Sequence, residues 1–190
     1  MSEIGPSSIQ SDQMDVWIVS HGGVASNAIC DYLQEQGLRT RPENYHLICH
    51  KQHPGVPLGI PIVVVYGDYE SAIRSMHRRG FLEANATKLR FGMNLPEVNL
   101  KRLLSNYPED PLGIKQFLSS FKEAKDSDLD SIQFLKYPYD INAAKVVFDN
   151  LGLPVDLSTF ELRDRKKNWR RTSTEVSKII DIYKKYSFEE

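Results

Sequence analysis

Cysteine is scarce in this chain: Cys30 and Cys49 are the only two among 190 residues. Two thiols in apolar stretches do not form a disulfide framework, and they read as buried small hydrophobes in a reducing compartment. Long hydrophobic runs are missing as well. No segment approaches the roughly 20 apolar residues of a membrane-crossing helix, so no membrane partner is expected. An excess of either charge is also absent. The 24 basic and 25 acidic residues leave a formal net charge of -1, whereas a bulk nucleic-acid binder is strongly basic, so no nucleic-acid partner is expected. The start lacks both a basic opening and an apolar stretch, so no signal peptide is expected. Residues 1–13 read as a disordered arm, residues 14–190 as one α/β domain, and the protein as cytoplasmic.

Apolar residues make up 41% of the chain and charged residues 26%, which is globular composition with enough length for a real core. Val16-Trp17-Ile18-Val19 is a continuous apolar run, as in a strand buried on both faces. It ends in Ser20-His21-Gly22-Gly23, after which Ala25, Ala28, Ile29, Tyr32 and Leu33 recur with helical period up to Gly37. Residues 45–49 read as a second strand, and Ile62-Val63-Val64-Val65-Tyr66 as the clearest one. A helix over residues 69–79 follows. Residues 81–109 read as an irregular excursion with a short helix over 99–104. Asp110-Pro111 reads as the start of another helix. A strand over 132–136, a helix through Ile141, Ala144, Phe148 and Leu151, and a last helix capped by Thr172 or Ser173 complete the chain. Strands alternating with helices predict a mainly parallel central sheet in a three-layer sandwich.

Candidate chemistry gathers at the carboxyl ends of the strands, where α/β sheets bind ligands. A glycine turn between a buried strand and a helix start aims backbone N–H groups and the positive helix end at one point, which suits an anion such as phosphate. Gly22, Gly23, Val24, Ala25, Ser26 and Asn27 form that turn; a plain tight turn between strand and helix is the alternative. The Walker A pattern is absent. Past the next predicted strand lie His50, Lys51 and His53. His50 is a candidate general base because histidine titrates near neutrality; solvated loop histidines are the plain alternative, and no third ligand makes a metal site. Residues 163–171 hold six cations and one acid, read either as a solvated loop or as an anion-binding one.

Taken in order, these segments resemble the sulfotransferase family, which uses the sulfate donor PAPS (3′-phosphoadenosine 5′-phosphosulfate). The likeness spans about residues 16–186. His21-Gly22-Gly23-Val24-Ala25 stands where the family has its Lys-Ser/Gly-Gly-Thr-Thr loop. Cys49-His50-Lys51-Gln52-His53-Pro54 stands where it has a Thr-His-x-x-Pro segment. Val63-Val64-Val65-Tyr66-Gly67-Asp68 resembles its Ile-Tyr-Val-x-Arg-Asn-Pro strand, with Ser75 at the place of a serine that holds the 3′-phosphate. Ile132-Gln133-Phe134-Leu135-Lys136-Tyr137, Phe148-Asp149-Asn150-Leu151-Gly152-Leu153-Pro154 and Arg165-Lys166-Lys167-Asn168-Trp169 resemble its later motifs.

The resemblance implies a P-loop NTPase-like fold and sulfuryl transfer from PAPS to a hydroxyl or amine on a small-molecule or glycan acceptor, without a metal. It implies His50 as base and residues 22–27 as the cradle of the donor, PAP remaining after transfer. His21 replaces the loop lysine and supports the leaving group only when protonated. Gly67 replaces an arginine that grips the 3′-phosphate; Ser75, Arg74, Arg165 and Lys166 would hold that phosphate instead. A catalytically inactive nucleotide- or protein-binding module is the alternative, and a phosphotransferase of P-loop type is a further one.

Overall fold

The computed structural model describes residues 9, 11–41, 46–92, 95, 98–161 and 172–189. Three strands form a parallel sheet in the order β1 (Trp17–Ser20), β2 (Ile62–Gly67), β3 (Ile132–Tyr137). Trp17 stands beside Ile62, and Ile62 beside Ile132. Every residue of β1 and β2 is buried, as expected where helices cover both faces of a parallel sheet.

Alternation along the strands divides the core. Trp17, Val19, Ile62, Val64, Tyr66 and Phe134 face one layer. That layer holds α5 (Ile114–Asp126), through Phe117 and Phe121, and α7 (Thr174–Tyr183), through Ile179 and Tyr183. Ile18, Val63, Val65 and Leu135 face the other, where α1 (Ser26–Glu35) contributes Ile29 and Leu33 and α6 (Ile141–Asn150) contributes Ala144 and Phe148. Each Val, Leu, Ile or Phe side chain among these is worth roughly 1.5–3 kcal/mol when fully buried. The middle layer is thus closed on both sides. α2 (Tyr69–Arg78) leaves the carboxyl end of β2 under a side-chain cap, with Asp68 Oδ1 accepting from the Ser71 N–H at 2.7 Å. Among the described residues no helix is long and apolar enough to cross a membrane.

Four sequence expectations need correction. Residues 46–50 form a 3₁₀ segment, His46–His50, rather than a strand. The Ile48 carbonyl accepts from the Trp17 indole Nε1 at 3.2 Å, so it is committed to a side chain rather than to a strand ladder. Residues 81–109 contain a full helix, α3 (Leu82–Phe91), before the short α4 (Leu100–Asn106). Gly92, at φ 68°, ends α3 in a left-handed cap. The helix predicted from Asp110 begins at Ile114, and the Asp110 carboxylate caps it from outside by accepting from the N–H groups of Lys115 and Gln116. Part of the expected arm is also ordered. Ser11–Gln13 form one 3₁₀ turn, Ile9 packs on the core, and Arg39 Nη1 donates to the Asp12 carbonyl at 3.2 Å.

Candidate functional site

A cleft of about 590 Å³ opens at the carboxyl end of β1, lined by the glycine turn, the start of α1, the 3₁₀ segment, α2 and α3. The turn is built from left-handed residues: Gly22 at φ 89°, Gly23 at φ 73° and Ala25 at φ 57°. Ala25 is the N-cap of α1, and no side chain caps the first helical turn. Backbone N–H groups at such an end carry partial positive charge toward the cleft. Ser20 braces the turn from below, its Oγ 2.9 Å from Ser26 Oγ and accepting from the Gly22 N–H at 3.3 Å.

The glycines have structural reasons of their own. A Cβ on Gly23 would stand 2.5 Å from the Ala72 carbonyl oxygen and 2.7 Å from its Cα. The missing side chain therefore lets α2 pack against the turn, whatever the cleft holds. Val24 does not line the cleft; it is buried in the layer of α1 and α6, and its carbonyl accepts from Tyr139 OH at 3.0 Å.

His50 lines the cleft. Its Nδ1 lies 2.8 Å from the Ser20 carbonyl, which can only accept. The proton therefore sits on Nδ1 and the lone pair on Nε2. Burial, assisted by the positive charges of Lys88 and Arg79, pushes its pKa down to about 4, so the ring is neutral at pH 7.

His21 is placed differently from its expected role. It is fully buried outside the cleft lining and accepts the Gly67 N–H on Nε2 at 3.3 Å. Burial holds its pKa near 4, and Nδ1 finds no hydrogen-bond partner. It is a neutral ring at the end of β2 rather than a cation against a leaving group. Gly67 could not carry the family's arginine, because a Cβ there would lie 2.7 Å from the Tyr137 carbonyl oxygen. Arg74 pairs with Glu70 at 2.7 Å and borders a separate small hollow with Asp68 and Ser71. Ser75 is buried outside the lining, one helical turn before Arg79, whose Nε donates to the Ser75 carbonyl. Arg165 and Lys166 lie outside the described residues. His53, beside His50 in sequence, is buried against Asp130, its Nε2 3.0 Å from the carboxylate.

The cations that line the cleft are Arg41, Arg79 and Lys88, and among the described residues no Asp or Glu lines it. In a chain of net charge -1 this is a concentrated positive field in a concave, partly desolvated place. Arg41 is steadied by Asp31 at 2.9 Å. Asn85 on α3 donates to the His21 carbonyl at 2.8 Å and closes the cleft beside Met76. Phe81, 57% exposed, stands at the rim. Arg41 and Arg79 stand in segments that no local sequence pattern joins, and Lys88 and Asn85 are placed by α3, whose apolar period the buried Asn85 and Thr87 interrupt. Compared with protein-family models, with curated proteins and with solved structures, the chain matches none.

Proposed function

We propose that this chain binds a phosphate-bearing ligand of nucleotide size in the cleft, and that the ligand is a sulfuryl donor of the PAPS type. One observation carries the anion: among the described residues three cations and no carboxylate line a cleft founded on a left-handed turn and an uncapped helix start. The cleft volume, about 590 Å³, falls in the range of small-molecule sites. Arg41, Arg79 and Lys88 replace the grips that His21, Gly67 and Arg74 do not offer. The donor identity rests on the likeness to sulfotransferases, as does a P-loop-like arrangement.

In the transfer, His50 Nε2 takes the proton of an acceptor hydroxyl as its oxygen bonds to sulfur. The bond from sulfur to the phosphate oxygen breaks, and PAP leaves with the electron pair. The cations stabilise the equatorial oxygens and the departing phosphate. A catalytically silent binder is the second reading, favoured by the uncharged, buried His21.

Calorimetric titration with PAP, PAPS and ATP with Mg²⁺ tests both, alongside a search for sulfated product by mass spectrometry. PAP should bind, and the Arg79→Ala, Lys88→Ala double variant should weaken it by at least tenfold, since a charge-assisted hydrogen bond is worth about 1.5–3 kcal/mol. PAP binding without transfer to any acceptor selects the silent binder. Absence of PAP binding overturns both, and binding of ATP with Mg²⁺ alone points to phosphoryl transfer.

A further inference from the structure

Two residues of the α3 wall go against the local preferences of their positions. Phe81 is the N-cap of α3 and makes no side-chain cap, where Ser, Thr, Asp or Asn is preferred. It lines the cleft with more than half of its surface exposed. Asn85 is a buried polar residue one helical turn on, and its N–H donates to the Phe81 carbonyl at 2.8 Å. It lines the cleft too. A single exposed aromatic is ordinary on a surface, but here an open ring and a buried amide share one wall of a cationic cleft. We propose that Phe81 and Asn85 form a base subsite, in which Phe81 stacks on the base of the bound nucleotide and Asn85 selects an amine-bearing base such as adenine over its oxo counterpart. The proposal rests on the reading of the cleft as a nucleotide site, and not on sulfuryl transfer.

Seven residues of α3 place Lys88 about 10 Å from Phe81 along the helix axis, with Asn85 between them on the same face. Aromatic, amide and cation thus stand in the order in which a nucleotide presents base and phosphate. The Arg79 guanidinium lies over the Phe81 ring, 5.8 Å from its centroid. That cation–π contact holds the ring from one side, and the exposed remainder offers a flat apolar platform. The His21 carbonyl, which can only accept, takes a hydrogen from Asn85 Nδ2 at 2.8 Å. This tether fixes which end of the amide is which and keeps it from flipping end for end. Asn85 Oδ1 holds no hydrogen bond to another described residue. As an oxygen it can only accept, so it pairs with an exocyclic amine. Hypoxanthine presents an oxygen where adenine presents that amine, and two acceptors would then face each other.

The test is calorimetric titration of the full chain with PAP, with its inosine counterpart and with pyrophosphate, which has no base. Wild type should bind PAP roughly 5- to 100-fold more tightly than the inosine counterpart, the usual discrimination of such a pairing. Phe81→Ala should weaken PAP roughly 5- to 100-fold, the usual worth of base–aromatic stacking, and pyrophosphate by no more than about twofold. Phe81→Trp should restore PAP binding. Asn85→Ala should bind PAP and the inosine counterpart alike; where that variant does not fold, the wild-type preference decides. Equal wild-type affinity for the two nucleotides, or unchanged PAP affinity in Phe81→Ala, overturns the subsite and leaves the nucleotide site standing. Wild type that binds pyrophosphate as tightly as PAP overturns the subsite and leaves only an anion site. Wild type that binds no nucleotide overturns the nucleotide reading and the subsite with it.

Discussion

The carbonyl of Ser20 sets what His50 can do. By accepting from Nδ1 at 2.8 Å it fixes the tautomer and leaves Nε2 to take a proton. With the pKa held near 4, the ring is unprotonated throughout the neutral range and needs no activation there. If the chain transfers sulfate, His50→Ala should lower turnover by roughly 10²–10⁴-fold, the usual worth of a general base. PAP affinity should stay close to wild type, because the cations remain. Full turnover in this variant would remove His50 from the mechanism. His53→Ala is a poor comparison despite its nearness in sequence. That ring is buried and committed to Asp130, so its loss acts on folding.

Residues 51–61 connect the 3₁₀ segment to β2 without helix or strand, and Asp130 organises them from the amino end of β3. Its Oδ1 accepts from the N–H of Leu58 at 2.9 Å and of Gly59 at 2.8 Å, while Oδ2 lies 3.0 Å from His53 Nε2. His53 Nδ1 accepts from Gly55 N–H at 3.1 Å, so the His53 proton is on Nε2 and points to the carboxylate. Asp130→Ala strands these donors together and should lower the unfolding free energy by roughly 3 kcal/mol, read as a fall in the urea midpoint; an unchanged midpoint would show that the loop holds itself. The strands and α1, α2, α6 and α7 were legible because continuous apolar runs and helical periods survive in them. α3 was not, because Asn85 and Thr87 are buried polar residues on its inner face and break the period that Leu82, Ala86 and Leu89 otherwise keep. The glycine turn and His50 were legible as local motifs. The cationic lining was not, since Arg41, Arg79 and Lys88 come from separate elements that only tertiary packing brings together.

Across the whole molecule, the imidazoles of His21 and His50 make stability a function of acidity. His21 and His50 titrate near 4 when folded and near 6.5 in the unfolded chain. Between those values the unfolded state takes up protons that the folded state refuses. Their contribution is therefore complete above pH 6.5 and is lost as pH falls from 6.5 to about 4. The slope approaches about 1.4 kcal/mol per pH unit for each histidine. The lowered carboxyls of Asp15 and Glu70, held by Arg39 and by Arg74, lose their contribution only at lower pH, so they leave this window to the histidines. Urea unfolding at pH 7, 6 and 5 should show the decline, and His50→Gln should flatten it by about half. Equal stability at the three values would mean that the rings charge freely in the fold.

The crowding at Gly67 limits how this scaffold could be engineered toward a stronger positive charge at the end of β2. Placing an arginine at that position is a forbidden step, since the first carbon of any side chain already collides with the Tyr137 carbonyl. A designer would have to shift the β3 terminus first, or start elsewhere. The accessible route is across the cleft, where Ala84 on α3 lines the opposite wall and is exposed at the surface. A long cationic side chain grafted there would enter the existing positive field from open solvent, leaving the buried junction of β2 and β3 untouched.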